Sequence, residues 1–119
     1  MRHRIAKNKL SRPTNQRKAL LRNLVSNAIK YGRIKTTKAK AKEVRPILEK
    51  MITLSKNKDY NSVRKVSEFI LDKKVVEHLF DNVSTKFTER NGGYSRIVSL
   101  GSRKGDNAEI ALLELVDWL

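Results

Sequence analysis

Fifteen basic side chains fall within the first 45 residues: Arg2, Arg4, Lys7, Lys9, Arg12, Arg17, Lys18, Arg22, Lys30, Arg33, Lys35, Lys38, Lys40, Lys42 and Arg45. Glu43 is the single acid among them. This segment carries +14 of the chain's formal +15, whereas residues 46–119 hold twelve bases against eleven acids. Lys and Arg in such density suit one kind of chemistry: they neutralise phosphate groups and release the counterions condensed on a polyanion. Arg adds a planar fork that grips phosphate through two nitrogens and stacks on bases. The asymmetry predicts one end built to lie against a polyanion, rather than a uniformly soluble basic surface.

Three groups of side chains are the candidates. The first is a basic arm with Arg2, His3, Arg4, Lys7, Lys9 and Arg12, continued by Arg17, Lys18 and Arg22 on the polar face of a helix. The second is Lys35, Thr36, Thr37, Lys38, Lys40 and Lys42, where two hydroxyls stand among four ammonium groups. Thr36 and Thr37 can hydrogen-bond phosphate beside the free N–H groups of a helix start, or can act as a plain helix cap. The third and smaller group is Arg96, Arg103 and Lys104, the last two in a polar turn that could equally serve solubility.

Other chemistries are poorly represented. There is no Cys, which removes disulfides and thiolate metal sites and fits a reducing compartment. The two His residues, His3 and His78, are far apart and show no ligand spacing, so neither zinc nor another cofactor is expected. His78 reads as part of a scaffold helix, and His3 as a stacking or hydrogen-bonding group. Glu109, Glu114 and Asp117 gather near the C-terminus without the marks of a cleft for acid–base work. The glycines form no phosphate-cradling GxxxxGK[ST] loop. Neither catalysis nor a small-molecule substrate is expected. No apolar run approaches the roughly 20 residues of a membrane-spanning helix, and no signal-peptide core follows the Met-Arg-His-Arg start. The expected place is therefore the cytoplasm, and no membrane partner is anticipated.

The elements that position these residues follow from periodicity. Residues 1–13 contain only Ile5, Ala6 and Leu10 as apolar residues after Met1, too few to offset the ordering entropy, and are expected to form an extended arm. Residues 14–119 then form one globular domain. Thr14 or Asn15 can cap a first helix beginning near Gln16, with Leu20, Leu21, Leu24, Val25, Ala28 and Ile29 on one face and Gly32 as its stop. Residues 33–37 read as a short strand. A second helix, capped at Thr36 or Thr37, turns Ala41, Val44, Ile47, Leu48, Met51 and Ile52 inward. Pro46 predicts either a kink in it or a later start, because Pro in a helix interior costs about 3 kcal/mol. Asp59 and Asp72 are placed to cap a third helix, with Val63, Val66, Phe69 and Ile70 inward, and a fourth, with Val75, Val76, Leu79, Phe80 and Val83 inward. After Gly92 and Gly93 the period changes to two, and residues 94–100 and 108–116 read as a hairpin. The expected fold is α+β in two layers: about four helices on a small three-stranded mixed sheet.

A polyanion could be DNA or RNA. A basic arm suits irregular folded RNA, which is recognised through shape, phosphates and 2′-OH groups. No compact recognition helix of the helix-turn-helix kind is evident, which leaves DNA binding as the alternative reading. Longer motifs narrow the choice. Met1-Arg2-His3-Arg4, Arg17-Lys18-Ala19, Leu21-Arg22-Asn23-Leu24, Ile34-Lys35-Thr36-Thr37, residues 39–46, Gly92-Gly93-Tyr94-Ser95-Arg96-Ile97 and Arg103-Lys104-Gly105-Asp106-Asn107-Ala108 together resemble bacterial large-subunit ribosomal protein seventeen over essentially the whole chain. Gln16 departs from the pattern, since members commonly carry His there. The resemblance implies a two-layer fold and binding to large-subunit ribosomal RNA near the nascent-peptide exit. It also implies neighbouring large-subunit proteins as partners.

Overall fold

The computed structural model describes residues 14–116, so the basic arm at residues 1–13 lies outside the described residues. Helix α1 (Thr14–Tyr31) already includes Thr14 and Asn15, the two residues expected to cap it. Its 3.6-residue stripe buries Leu21, Val25, Ala28 and Ile29. Leu24, one step round from that line, is only partly covered. The helix stops at Gly32, whose φ of +82° is the left-handed conformation that residues with a Cβ resist. There its N–H donates to the Ala28 carbonyl at 2.9 Å.

The chain passes directly into strand β1 (Arg33–Thr37) and then helix α2 (Lys38–Ser55). Thr37 is the cap between them, its Oγ1 accepting from the Lys40 N–H at 3.4 Å. Pro46 lies inside α2, which neither starts late nor ends there. Both Pro46 and Lys42 are exposed, so the Lys42 carbonyl that loses its N–H partner lies on the wet side of the helix. The opposite side buries Ala41, Val44, Leu48, Met51 and Ile52, and makes α2 the central element of the core.

Asp59 caps helix α3 (Tyr60–Phe69) by accepting the Ser62 N–H at 2.8 Å, and Asp72 caps α4 (Lys73–His78) by accepting the Lys74 N–H at 2.9 Å. Val66 and Ile70 are buried as expected, but Val63 is 37% exposed. Beyond α4 the backbone widens into a π-helical turn, Leu79–Val83, then closes with a short turn α5 (Ser84–Lys86). All five apolar positions of this stretch, Val75, Val76, Leu79, Phe80 and Val83, are buried. His78 belongs to it, with its Nδ1 at 3.0 Å from the Asn82 amide nitrogen.

Strands β2 (Ser95–Ser102) and β3 (Glu109–Leu115) form the expected hairpin. The sheet order is β1-β3-β2. The α+β architecture agrees with the sequence reading, but the sheet is antiparallel throughout rather than mixed. The last strand enters between the other two, and no parallel pair with its long crossover arises. Ala111, Leu113 and Leu115 face the helices. A clamp fastens α2 to the start of β2: Glu49 Oε2 accepts from the Ser95 hydroxyl at 2.8 Å and its N–H at 3.2 Å, while Arg45 donates to the Ser95 carbonyl at 3.1 Å. Arg45, one of the bases of the first 45 residues, is thus engaged in holding the two layers together.

Candidate nucleic-acid interface

The order β1-β3-β2 sets the end of β1 and the start of α2 beside the β2–β3 hairpin. A groove of about 480 Å³ opens there, lined by Lys35, Thr36, Thr37, Lys40, Leu100, Ser102, Arg103 and Ile110. Two sequence groups that stood nearly seventy residues apart therefore form one surface. Three cations and three hydroxyls converge on it, and α2 begins at its wall. The free N–H groups and positive dipole end of an 18-residue helix add to the attraction for an anion. Lys38 and Lys42 line an adjoining groove of about 370 Å³ with Thr37, Ala39, Ala108 and Glu109.

The hairpin holds Arg103 in position. A shift in pairing between Ser99 and Gly101 bends β2, and Gly101, with a φ of +100°, supplies the backbone conformation the bend needs. Across the turn the Arg103 N–H donates to the Ala108 carbonyl at 2.7 Å and the Asn107 N–H to the Arg103 carbonyl at 3.0 Å. The Arg103 guanidinium donates to both oxygens of Asp106, at 3.1 and 2.5 Å. That hydrogen bond, together with the Ala108 N–H, holds the Asp106 carboxyl at about 2, well below the usual range, and Asp106 in turn raises Arg103. Asp106 stays ionised at neutral pH and fixes one edge of a guanidinium whose other edge can meet a ligand.

Several expected contact residues already have acidic partners. Arg96 meets Glu114 across the β2–β3 ladder at 2.6 Å, Lys38 meets Glu109 at 3.7 Å, and Arg17 meets the buried Glu43 at 3.8 Å. A phosphate must compete with a carboxylate at each of these, whereas no ion pair with a described residue holds Lys35 or Lys40. Lys18 and Lys104 are exposed. Arg22 stands apart, with its guanidinium carbon 5.5 Å from the centre of the Phe69 ring, on a second cleft between α1 and the start of α4. His3, Arg2, Arg4, Lys7, Lys9 and Arg12 lie outside the described residues.

Sequence reasoning missed Ser102, Leu100 and Ile110 as groove residues. Leu100 is 49% exposed and Val98 39%, both on the sheet face turned away from the helices. The signal was present in the pairing rule: neighbours of Lys35 on that face must come from alternate positions of β3 and β2. It required knowing that β3 is the middle strand.

A profile of the family described as ribosomal protein L17 matches residues 20–116. The large ribosomal subunit protein bL17 of Clostridium perfringens (strain SM101) is 54% identical over 108 residues, covering 91% of this chain and 96% of that protein. Its counterpart in Clostridium beijerinckii is 56% identical with the same coverage, and that of Clostridium botulinum (strain Hall) 54% identical.

Proposed function

Because the chain belongs to the ribosomal protein L17 family, we propose that this large-subunit constituent binds and stabilises folded large-subunit ribosomal RNA, without catalysis, in the cytoplasmic ribosome. The observation that carries the reading is the groove joining Lys35, Thr36, Thr37 and Lys40 to Ser102 and Arg103 at the start of α2. Its donors suit the oxygens of an RNA backbone, with ammonium and guanidinium groups supplying charge and hydroxyls supplying geometry. Lys38 and Lys42 extend that contact in the adjoining groove. Arg17, Lys18 and Arg22 extend it along α1, and Arg96 and Lys104 along the hairpin.

The domain division belongs to the same reading. Residues 1–13 serve as a basic arm, with Arg2, His3, Arg4, Lys7, Lys9 and Arg12 on RNA, and residues 14–119 serve as the folded body. The position near the peptide exit, with neighbouring large-subunit proteins as partners, is carried by the family resemblance. In a sucrose gradient at high salt the tagged protein should sediment with large subunits. Release into the light fractions, or equal retention on double-stranded DNA in a parallel gradient, would contradict it.

A further inference from the structure

The second cleft, about 390 Å³, lies away from the phosphate groove. One wall is a single stripe of α1: Arg22, Asn23, Ser26, Asn27 and Lys30. The other is the connection into α4, with Leu71, Asp72 and Val75. Three features of this cleft bear on what it can bind. Asn and Ser are poorer helix formers than Lys, Gln or Ala, yet three of them occupy the middle of the wet face of α1. Among the described residues, none of the three makes a side-chain hydrogen bond. Among the described residues Arg22 Nε, sealed from solvent, has no hydrogen-bond partner, while its guanidinium rests against Phe69. Leu71, a large apolar side chain, is 71% exposed at the cleft mouth.

Phosphate oxygens only accept hydrogen bonds, so Lys and Arg would suffice for them. Carboxamides both donate and accept, as the edge of a nucleobase requires. The Asp72 carboxylate on the facing wall caps α4 through Oδ1, which leaves its second oxygen to meet a ligand. It repels a phosphate but accepts from a base amino group. Leu71 and Val75 supply an apolar surface for the flat face of a base, and the volume lies in the range of small-ligand sites. We propose that this cleft takes one unstacked nucleobase of ribosomal RNA, with Asn23 and Asn27 on its hydrogen-bonding edge, Leu71 against its face, and Lys30 and Arg22 on the flanking backbone. This rests on the RNA-binding reading above and adds a base-specific contact to it, of the kind single-stranded loops and bulges offer.

The test is the full-length Asn23→Ala/Asn27→Ala protein, titrated with deproteinised bacterial large-subunit RNA over a series of salt concentrations. Affinity should fall on the order of ten- to a hundred-fold, as expected for a lost bidentate base contact, with the slope of log affinity against log salt unchanged. Thermal melting should not drop, because Ala is the better helix former. Unchanged affinity would overturn the proposal. So would a loss accompanied by a shallower salt slope, which would make these phosphate contacts, or a lower melting temperature, which would make them structural. The four nucleoside monophosphates, added singly, should show no saturable binding. If one bound saturably, the ligand would be a free nucleotide and the RNA assignment would fall. If the parent protein itself showed no salt-dependent RNA binding, the functional reading would fail and this inference with it. If only the variant matched the parent, the functional reading would survive alone.

Discussion

Raising salt from 50 to 200 mM should weaken binding of the intact chain to deproteinised large-subunit RNA by about 10³–10⁵-fold, the loss associated with 6–10 phosphate contacts on duplex DNA. The count comes from the chain itself. Residues 1–13 contribute Arg2, Arg4, Lys7, Lys9 and Arg12. The main groove contributes Lys35, Lys40 and Arg103, and α1 contributes Lys18 and Lys30. Against these stand the internal pairs of Arg96 with Glu114 and Lys38 with Glu109, which a phosphate must displace. The Lys38–Glu109 pair is exposed on both sides and of small worth, whereas Glu114 is mostly covered; in either case a cation that stays with its carboxylate releases no counterion. The measured slope therefore counts engaged cations: about ten corresponds to these residues alone, and only a larger count would show that the paired Arg96 and Lys38 are recruited as well. A nearly flat titration would mean that the basic third of the chain does not bind through charge.

Leu48→Asp should abolish folding at neutral pH. Leu48 is fully buried on α2, the helix that packs against α1, α3 and the sheet. Removing a buried leucine side chain typically costs about 2–5 kcal/mol, and a carboxylate left without a partner in that space adds several more. A domain with the usual 5–15 kcal/mol of stability has little or nothing left. The expected far-UV spectrum lacks native helix content, and no cooperative melt is seen. RNA binding by the folded state is lost as a consequence. Leu24→Asp is instructive beside it. Periodicity puts Leu24 on the same apolar face of α1, but it is only partly covered, so its carboxylate can reach water and the cost should be smaller. A Leu48→Asp protein that melted cooperatively within a few degrees of the parent would show that the core has been wrongly located.

Local signals in the sequence carried far. The capping carboxylates Asp59 and Asp72, the Thr37 cap and the Gly32 stop each concern atoms within four residues, and each was legible. So was the inward set of the fourth helix, because five apolar residues at helical spacing leave little choice of face. Apart from the start of α1, where Thr14 and Asn15 lie inside the helix they were expected to cap, what failed depended on partners distant in the chain. Val63 has the spacing of a core residue, but α3 turns it outward, and nothing in ten residues reveals that. Pro46 suggested a kink or a later start, and the later start did not hold: its missing N–H lies on the solvent side of a helix whose other face is held by the core, so tertiary packing outweighs a local preference. The antiparallel directions of the sheet and the meeting of Arg103 with Lys35 rest on the place of β3 in the strand order. No single segment encodes that. Of the second cleft only Arg22 was placed, on the polar face of the first helix; the wall formed by Leu71, Asp72 and Val75 was not foreseen.

The central claim is that phosphate binding belongs to the groove at the start of α2 and not merely to positive charge. Two triple variants compare the alternatives at equal net charge. One replaces the groove residues Lys35, Lys40 and Arg103 by Ala. The other replaces Lys50, Lys58 and Lys65, exposed bases on α2, the α2–α3 turn and α3, by Ala. Salt titrations of RNA affinity are then run on both. The groove variant should bind more weakly, with the magnitude of its slope reduced by about two to three, one lost phosphate contact for each cation. The second variant should keep the parent's slope. Equal slopes for the two variants, or a larger loss in the second, would contradict the assignment of the groove as the RNA-binding surface.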